Sequence, residues 1–152
     1  MKVDPSLIHR LFYPQVPAIL SAMVGKRVSA MPVVSYTSVS DSPPMVAVSS
    51  APSHYTCKLV LEAGSFSLCV LDRDHAGAIA RLASVGGGKV EDKLADAGLE
   101  YSKGEKLKVP IIKGSAATLE CKLAAKRRFG DHLLLVGEVT PTISTGTPNT
   151  RL

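Results

Sequence analysis

Apolar residues in this chain fall in short alternating runs of strand length, separated by turn residues. Val16–Val24 (VPAILSAMV) reads as a first strand, closed by Gly25-Lys26 as a hairpin-like turn. Val28–Tyr36 reads as a second, alternating through Val28, Ala30, Pro32 and Val34. Pro32 has no N–H to give to a ladder, so this strand lies at an edge or breaks at a bulge, and either frees backbone groups for a ligand. Asp41-Ser42-Pro43-Pro44 is a turn, and Met45–Ser49 a third strand. Further on, Phe66–Leu71 (FSLCVL), Ala117–Lys126 and His132–Val139 show the same pattern, the last two joined through Phe129-Gly130-Asp131. Ile111 and Ile112 follow Pro110, and the Thr-, Pro- and Gly-rich stretch from Pro141 onward is a strand extension or an ordered tail.

Helical spacing is confined to short inserts. A short amphipathic lead-in precedes Phe12. Ser53 is placed as an N-cap for a helix from His54 to Ala63, with Tyr55, Leu59 and Val60 on one face and Gly64 as the stop. Asp72 or Asp74 caps a second helix through Ala83, followed by Gly86-Gly87-Gly88, expected to be flexible. Glu91–Ala97 makes one or two further turns ended by Gly98. Many strands with short helices on long connections define a mainly β fold, a β-barrel with inserted short helices. The C-terminal hairpin breaks the strand–helix alternation that a doubly wound fold needs. Neither a repeat nor a boundary interrupts residues 1–152, a length that suits a single domain.

Composition narrows the function more than the fold. Hydrophobic residues make up 45% and charged residues 20%, which excludes a disordered chain. Trp is absent and aromatics are 5%, a poor supply for stacking bases of nucleic acid. The formal charge of +5 is scattered, with Lys126-Arg127-Arg128 as the main cluster, so it suits a small anionic ligand and not a nucleic acid. The N-terminus lacks a signal-peptide h-region, and no apolar run is long enough for a membrane span. Cys57, Cys69 and Cys121 are widely spaced among apolar neighbours, with no C-x-x-C pair, and read as reduced core thiols of a cytoplasmic protein.

The chemistry concentrates between Ser35 and Thr56, where half the residues carry a hydroxyl around the buried-strand pattern Met45–Val48. Small hydroxyls beside closely approaching backbone suit a flat, phosphorylated ligand held against a sheet. The start of the helix near Ser53 offers unpaired N–H groups at the positive end of a dipole, with Ser49, Ser50, Ser53 and Thr56 as further donors and His54 as a possible cation. Simple capping by Ser53 is the alternative. Ser84–Val90 is not a P-loop, because Ala83 and Val90 stand where that motif needs Gly and Ser or Thr; it is a mobile connection or a loop bordering a cofactor. No nucleophile elbow, metal-ligand spacing or carboxylate pair stands out. Reactive chemistry, if any, therefore belongs to a cofactor.

Tyr13-Pro14 with Val16-Pro17, SYTSVSDSPP ending at Pro44, MVAVSS, SHYTCKL, FSLCVL, Asp92-Lys93, Glu120-Cys121 and GDHLLLVGEV occur in the order seen in the flavin reductase-like family, which this chain resembles from about Tyr13 to Val139. The family comprises FMN-binding split-barrel proteins, among them flavoredoxins and reductase components of two-component monooxygenases. The resemblance implies FMN as cofactor, NADH or NADPH as electron donor, a homodimer, and free flavin or a partner protein as electron acceptor. A flavoredoxin-like carrier without direct nicotinamide reaction is the alternative, and a basic binding domain without FMN a third.

By the same resemblance, Tyr36, Thr37 and Ser38, with the backbone of Val34 and Ser35, lie against the isoalloxazine and ribityl chain. Ser49, His54, Tyr55 and Thr56 surround ribityl and phosphate, Lys93 adds a cation to the phosphate, and His132 sits where a nicotinamide arrives. Ala30 and Met31 replace an Asn common in the family, and His54 replaces its usual Arg.

Overall fold

The computed structural model describes Pro5, Phe12 and residues 14–145, with the side chains of 141–145 excepted. Tyr13, the rest of the lead-in and the chain beyond Thr145 lie outside the described residues. Strand β1 (Ala18–Val24) turns at Gly25-Lys26 into β2 (Arg27–Val33), as the alternation predicts. β3 (Tyr36–Asp41) and β4 (Pro44–Ser50) form a second hairpin with a bulge between Ser38 and Ser40. Then come α1 (Tyr55–Ala63), β5 (Ser65–Val70), a 3-10 turn (Arg73–His75), α2 (Ala76–Ser84) and α3 (Lys93–Asp96). A small β6–β7 ribbon (Tyr101–Lys103, Pro110–Ile112) leads into the long hairpin β8 (Ala117–Phe129) and β9 (His132–Thr145).

Seven strands make one antiparallel sheet in the order β2-β1-β5-β8-β9-β4-β3. Its two edges, β2 and β3, are joined through Val34 and Ser35 alone, so the sheet must curl until those edges face each other. The result is a barrel split along one seam. The strand expected from Val28 to Tyr36 is thus two strands that belong to opposite edges, and Tyr36 begins the second. Pro32 does lie on an edge strand.

Alternation sorts each strand between two layers. Leu20, Val46, Val48, Phe66, Leu68, Cys121 and Leu135 face the interior, joined by Cys57, Leu59 and Val60 of α1. Ile19, Val28, Ala30 and Cys69 face outward and are covered by Leu82 of α2 and Leu94 of α3. All three cysteines are free and buried, and burial pushes the Cys121 thiol up to about 12. Gly137 of β9 faces inward where a Cβ would stand 2.5 Å from Phe66 Cζ and 2.8 Å from Cys121 Cβ, so only glycine admits the Phe66 ring. Glu120, 2% exposed, accepts hydrogen bonds from the backbone N–H of Glu105 (3.1 Å), Lys106 (3.2 Å) and Leu107 (3.0 Å). Its carboxylate pins the β6–β7 connection to the barrel wall.

Candidate functional site

The seam opens into a continuous groove made of three adjoining hollows. A cleft of about 570 Å³ is lined by Phe12, Gln15, Val34, Ser35, Tyr36, Thr37, Ala47, Ser49, His132 and Leu134. It runs, by way of Val34, Ser35, Ser49 and His132, into a narrower space of about 190 Å³ bounded also by Met31, Pro32, Ser50 and His54. Met31, Pro32 and His54 lead on into a hollow of about 320 Å³ that ends at Tyr55, Thr56, Gly86, Gly87 and Lys93. The groove therefore follows the line where β2 and β3 fail to pair. At the seam Val34 and Ser35 belong to no strand, and the Ser35 carbonyl accepts from the Ser49 N–H at 2.9 Å.

Its far end is electropositive. His54, not Ser53, is the N-cap of α1, and it makes no side-chain cap hydrogen bond. The His54 N–H is already spent on the Ala51 carbonyl at 3.1 Å, which shifts the helix start by one residue from the expected cap. The opening N–H groups of α1 thus have no side-chain cap, at residues that border the hollow. Beside them, Lys93 is only 5% exposed, and among the described residues it forms no ion pair. Burial holds its ammonium below the ordinary lysine range.

Neighbouring groups keep Lys93 free and in place. Asp92 caps α3 by accepting from Ala95 N–H (2.9 Å), and its other oxygen accepts from Tyr101 O–H (2.6 Å). Burial and that carboxylate push the Tyr101 phenol up to about 12. Arg81 clamps Asp96 at 3.0 and 3.2 Å and ties α2 to α3. Both nearby acids are thereby engaged elsewhere. A buried cation with no counter-charge among the described residues, next to an uncapped helix start, has the chemistry of a phosphate subsite.

Some expected donors are already used. Thr56 is buried, and its hydroxyl is paired with Ser29 Oγ at 2.8 Å, so it anchors α1 to β2 although its side chain borders the hollow. Ser50 Oγ lies 3.3 Å from His54 Nδ1. Tyr36 donates its O–H to the Val16 carbonyl at 2.8 Å and offers the cleft its ring. Ser38 lies on the outer run of β3, outside the hollows. Of the two expectations for the glycine loop, its place is that of a loop bordering a site: a Cβ on Gly87 would overlap the Tyr55 Cβ, so the loop packs closely on α1 and borders the hollow.

Where the large cleft meets the narrow space, the Asp131 carboxylate accepts from His132 Nδ1 at 2.8 Å, which leaves Nε2 available. Gln15, Ala47 and Leu134 also line the cleft, and the sequence reading did not single them out. Ala47 and Leu134 fall on the strand face shared with Ser49 and His132, a signal that period-two alternation carries once the register is known.

The fold and site define a split antiparallel barrel with a groove along its seam, cationic at one end. The chain matches the Flavin reductase like domain over residues 9–149 and belongs to that family. A flavin reductase from Pseudomonas putida is 34% identical over 140 residues, covering 90% of this chain and 78% of that protein. An FMN-binding protein from Thermus thermophilus, solved with bound p-hydroxybenzaldehyde, superposes with a TM-score of 0.82 at 32% identity, covering 95% of this chain and 78% of that one. An NADH:FAD oxidoreductase from Streptomyces globisporus gives a TM-score of 0.84 at 26% identity, with 96% and 87% covered. Other curated relatives are longer: the chain spans 52%, 74% and 56% of three of them.

Proposed function

We propose that this chain is an FMN-dependent oxidoreductase that takes a hydride from NADH or NADPH and passes electrons to free flavin or a partner protein. The observation that carries the reading is the buried Lys93, without an ion-pair partner among the described residues, beside the uncapped start of α1 at one end of the seam groove. These residues fit FMN. Lys93 and the α1 N–H groups would hold its phosphate, Ser49 and His54 would border the ribityl chain, and Val34, Ser35, Tyr36 and Thr37 would face the ring.

Bound FMN supplies hydride and electron chemistry that none of the side chains here performs alone. The protein's part is to bind, orient and shield. The seam backbone of Val34 and Ser35 gives directional groups to a flat polar edge, while Ala47 and Leu134 exclude water from one side of the cleft. His132, held by Asp131, keeps Nε2 towards an arriving nicotinamide and fixes its approach. The protein is read as cytoplasmic, in keeping with its free buried thiols; among the described residues no helix is long and apolar enough to cross a membrane. It is also read as a homodimer, in which the exposed Phe12 (66%), Val16 (49%) and Val39 (51%) are available to be covered.

The purified protein loaded with FMN and mixed with NADH or NADPH without oxygen is expected to lose its yellow absorbance rapidly, and to sediment as a dimer. Bleaching by dithionite but by neither nucleotide would replace the reductase with a pure carrier, and a monomer would remove the dimer. His132→Ala is expected to lower the rate of FMN reduction about tenfold or more, in the range of a lost positioning contact, with a smaller change in FMN affinity. Equal losses in both, or none, would remove His132 from the nicotinamide approach.

A further inference from the structure

The long hairpin carries a feature that FMN binding does not use. β5 pairs with β8 only over Ala117–Lys122, so from Ala124 onward β8 has β9 on one side and solvent on the other. On this outlying strand Arg127 stacks over the Phe129 ring, with its guanidinium carbon 5.1 Å from the ring centre. Phe129 is 53% exposed, so its ring is open to solvent. Arg127 has no carboxylate partner among the described residues.

Register places this pair beside the cleft. Arg127 is opposite Leu134 and Phe129 is opposite His132. Directly opposed residues of an antiparallel ladder share one face, with Cβ atoms about 5 Å apart. Leu134 and His132 both line the large cleft, so Arg127 and Phe129 extend its floor across one more strand. Lys126 and Arg128 oppose Leu135 and Leu133 and point to the other face. The large cleft thus continues into a flat aromatic surface with one planar cation that forms no ion pair among the described residues. That combination recognises a purine face or a phosphate.

We propose that Arg127 and Phe129 form a subsite for the adenosine-phosphate end of the nicotinamide dinucleotide, placed so that its nicotinamide reaches His132. This rests on the reading of the cleft as a flavin site that a nicotinamide approaches. The dinucleotide is favoured over a second flavin because the pair adjoins His132, at the mouth, with its ring open to solvent.

The test is calorimetric titration of the FMN-loaded protein with ADP-ribose, which carries the adenosine and phosphates but no nicotinamide, alongside a separate titration of the FMN-free protein with FMN. Arg127→Ala is expected to weaken ADP-ribose about tenfold, the scale of one charge-assisted hydrogen bond, and to leave FMN affinity unchanged. Arg127→Lys, which keeps charge but loses the planar stack, and Phe129→Leu are expected to fall between wild type and Arg127→Ala. ADP-ribose affinity equal in wild type and Arg127→Ala, or no binding by wild type, would overturn the subsite, as would a loss confined to FMN. If wild-type FMN is still bleached by a nicotinamide nucleotide, only the subsite has failed. If neither nucleotide bleaches it, the reductase reading has failed and the subsite falls with it.

Discussion

Lys93→Met weakens FMN binding by roughly 10- to 100-fold, the expected result if its ammonium meets the phosphate, since a hydrogen bond to a charged group contributes about 1.5–3 kcal/mol. Methionine keeps the length and packing of the lysine stem, so circular dichroism and melting should show an intact fold. The prediction has a pH signature. Burial already holds the Lys93 ammonium below the ordinary lysine range, so it gives up its proton earlier as pH rises. FMN affinity should therefore be level near neutrality and decline in the alkaline range sooner than an exposed lysine would allow. The methionine variant should lack that decline.

The ligand-free protein should show the opposite sign. Its unfolded chain keeps the Lys93 proton up to the ordinary lysine pKa, while the folded chain releases it below that value. Between the two the unfolded state binds more protons, so stability attributable to Lys93 rises with pH. Fluorescence titration with FMN over a pH series measures the first effect, and denaturant melts the second. Equal FMN affinity in Lys93→Met and wild type would take Lys93 out of the site.

Gly137→Ala is the second large effect, and it concerns stability. The added methyl would stand 2.5 Å from Phe66 Cζ and 2.8 Å from Cys121 Cβ, both fully buried. β9 is paired on both sides at this point, with Val46 and Leu123, so backbone movement offers little relief. Overpacking of this kind is destabilising by about 1–3 kcal/mol, and each kcal/mol lowers Tm by roughly 2–4 °C in a domain of this size. Trimming the ring should restore part of the loss, so the Gly137→Ala, Phe66→Leu pair should be less unstable than the two single changes added together. An unchanged Tm in Gly137→Ala would show that the ring has room to move.

The barrel was legible because its signals are local. Period-two runs, Gly25-Lys26, and the Gly130-Asp131 turn locate β1, β2, β8 and β9 within a residue or two at most ends. Misreadings arose where tertiary contacts decide. Nothing at Val34-Ser35 marks a break, because alternation runs straight through to Tyr36; the chain changes edges there only because the sheet curls. β6 spans Tyr101–Lys103, too short for periodicity to register. The helix cap moved from Ser53 to His54 because a preceding turn occupies the His54 N–H. Gly86-Gly87-Gly88 has the composition of a flexible linker, yet its small size serves a tight approach to Tyr55.

The groove was readable only in part. The hydroxyl-rich segment pointed to its middle, but which hydroxyls are spent internally depends on register, as Thr56 and Ser29 show. Lys93 was singled out by family resemblance, since no pattern reveals that Asp92 and Asp96 are both engaged elsewhere. Arg127 stands in the sequence as part of a charge cluster and Phe129 as part of a turn; pairing with Leu134 and His132 sets them on the cleft face.

The two-residue link between β2 and β3 has a wider consequence. Many binding sites are hollowed out of a core, and every side chain trimmed to make room weakens the fold. Here the recess is a by-product of incomplete wrapping, while the interior behind it stays filled by Phe66, Leu135 and their neighbours. Selection can therefore rework the walls of the recess to admit new substrates with little loss of thermal resistance, which gives one architecture room to diversify.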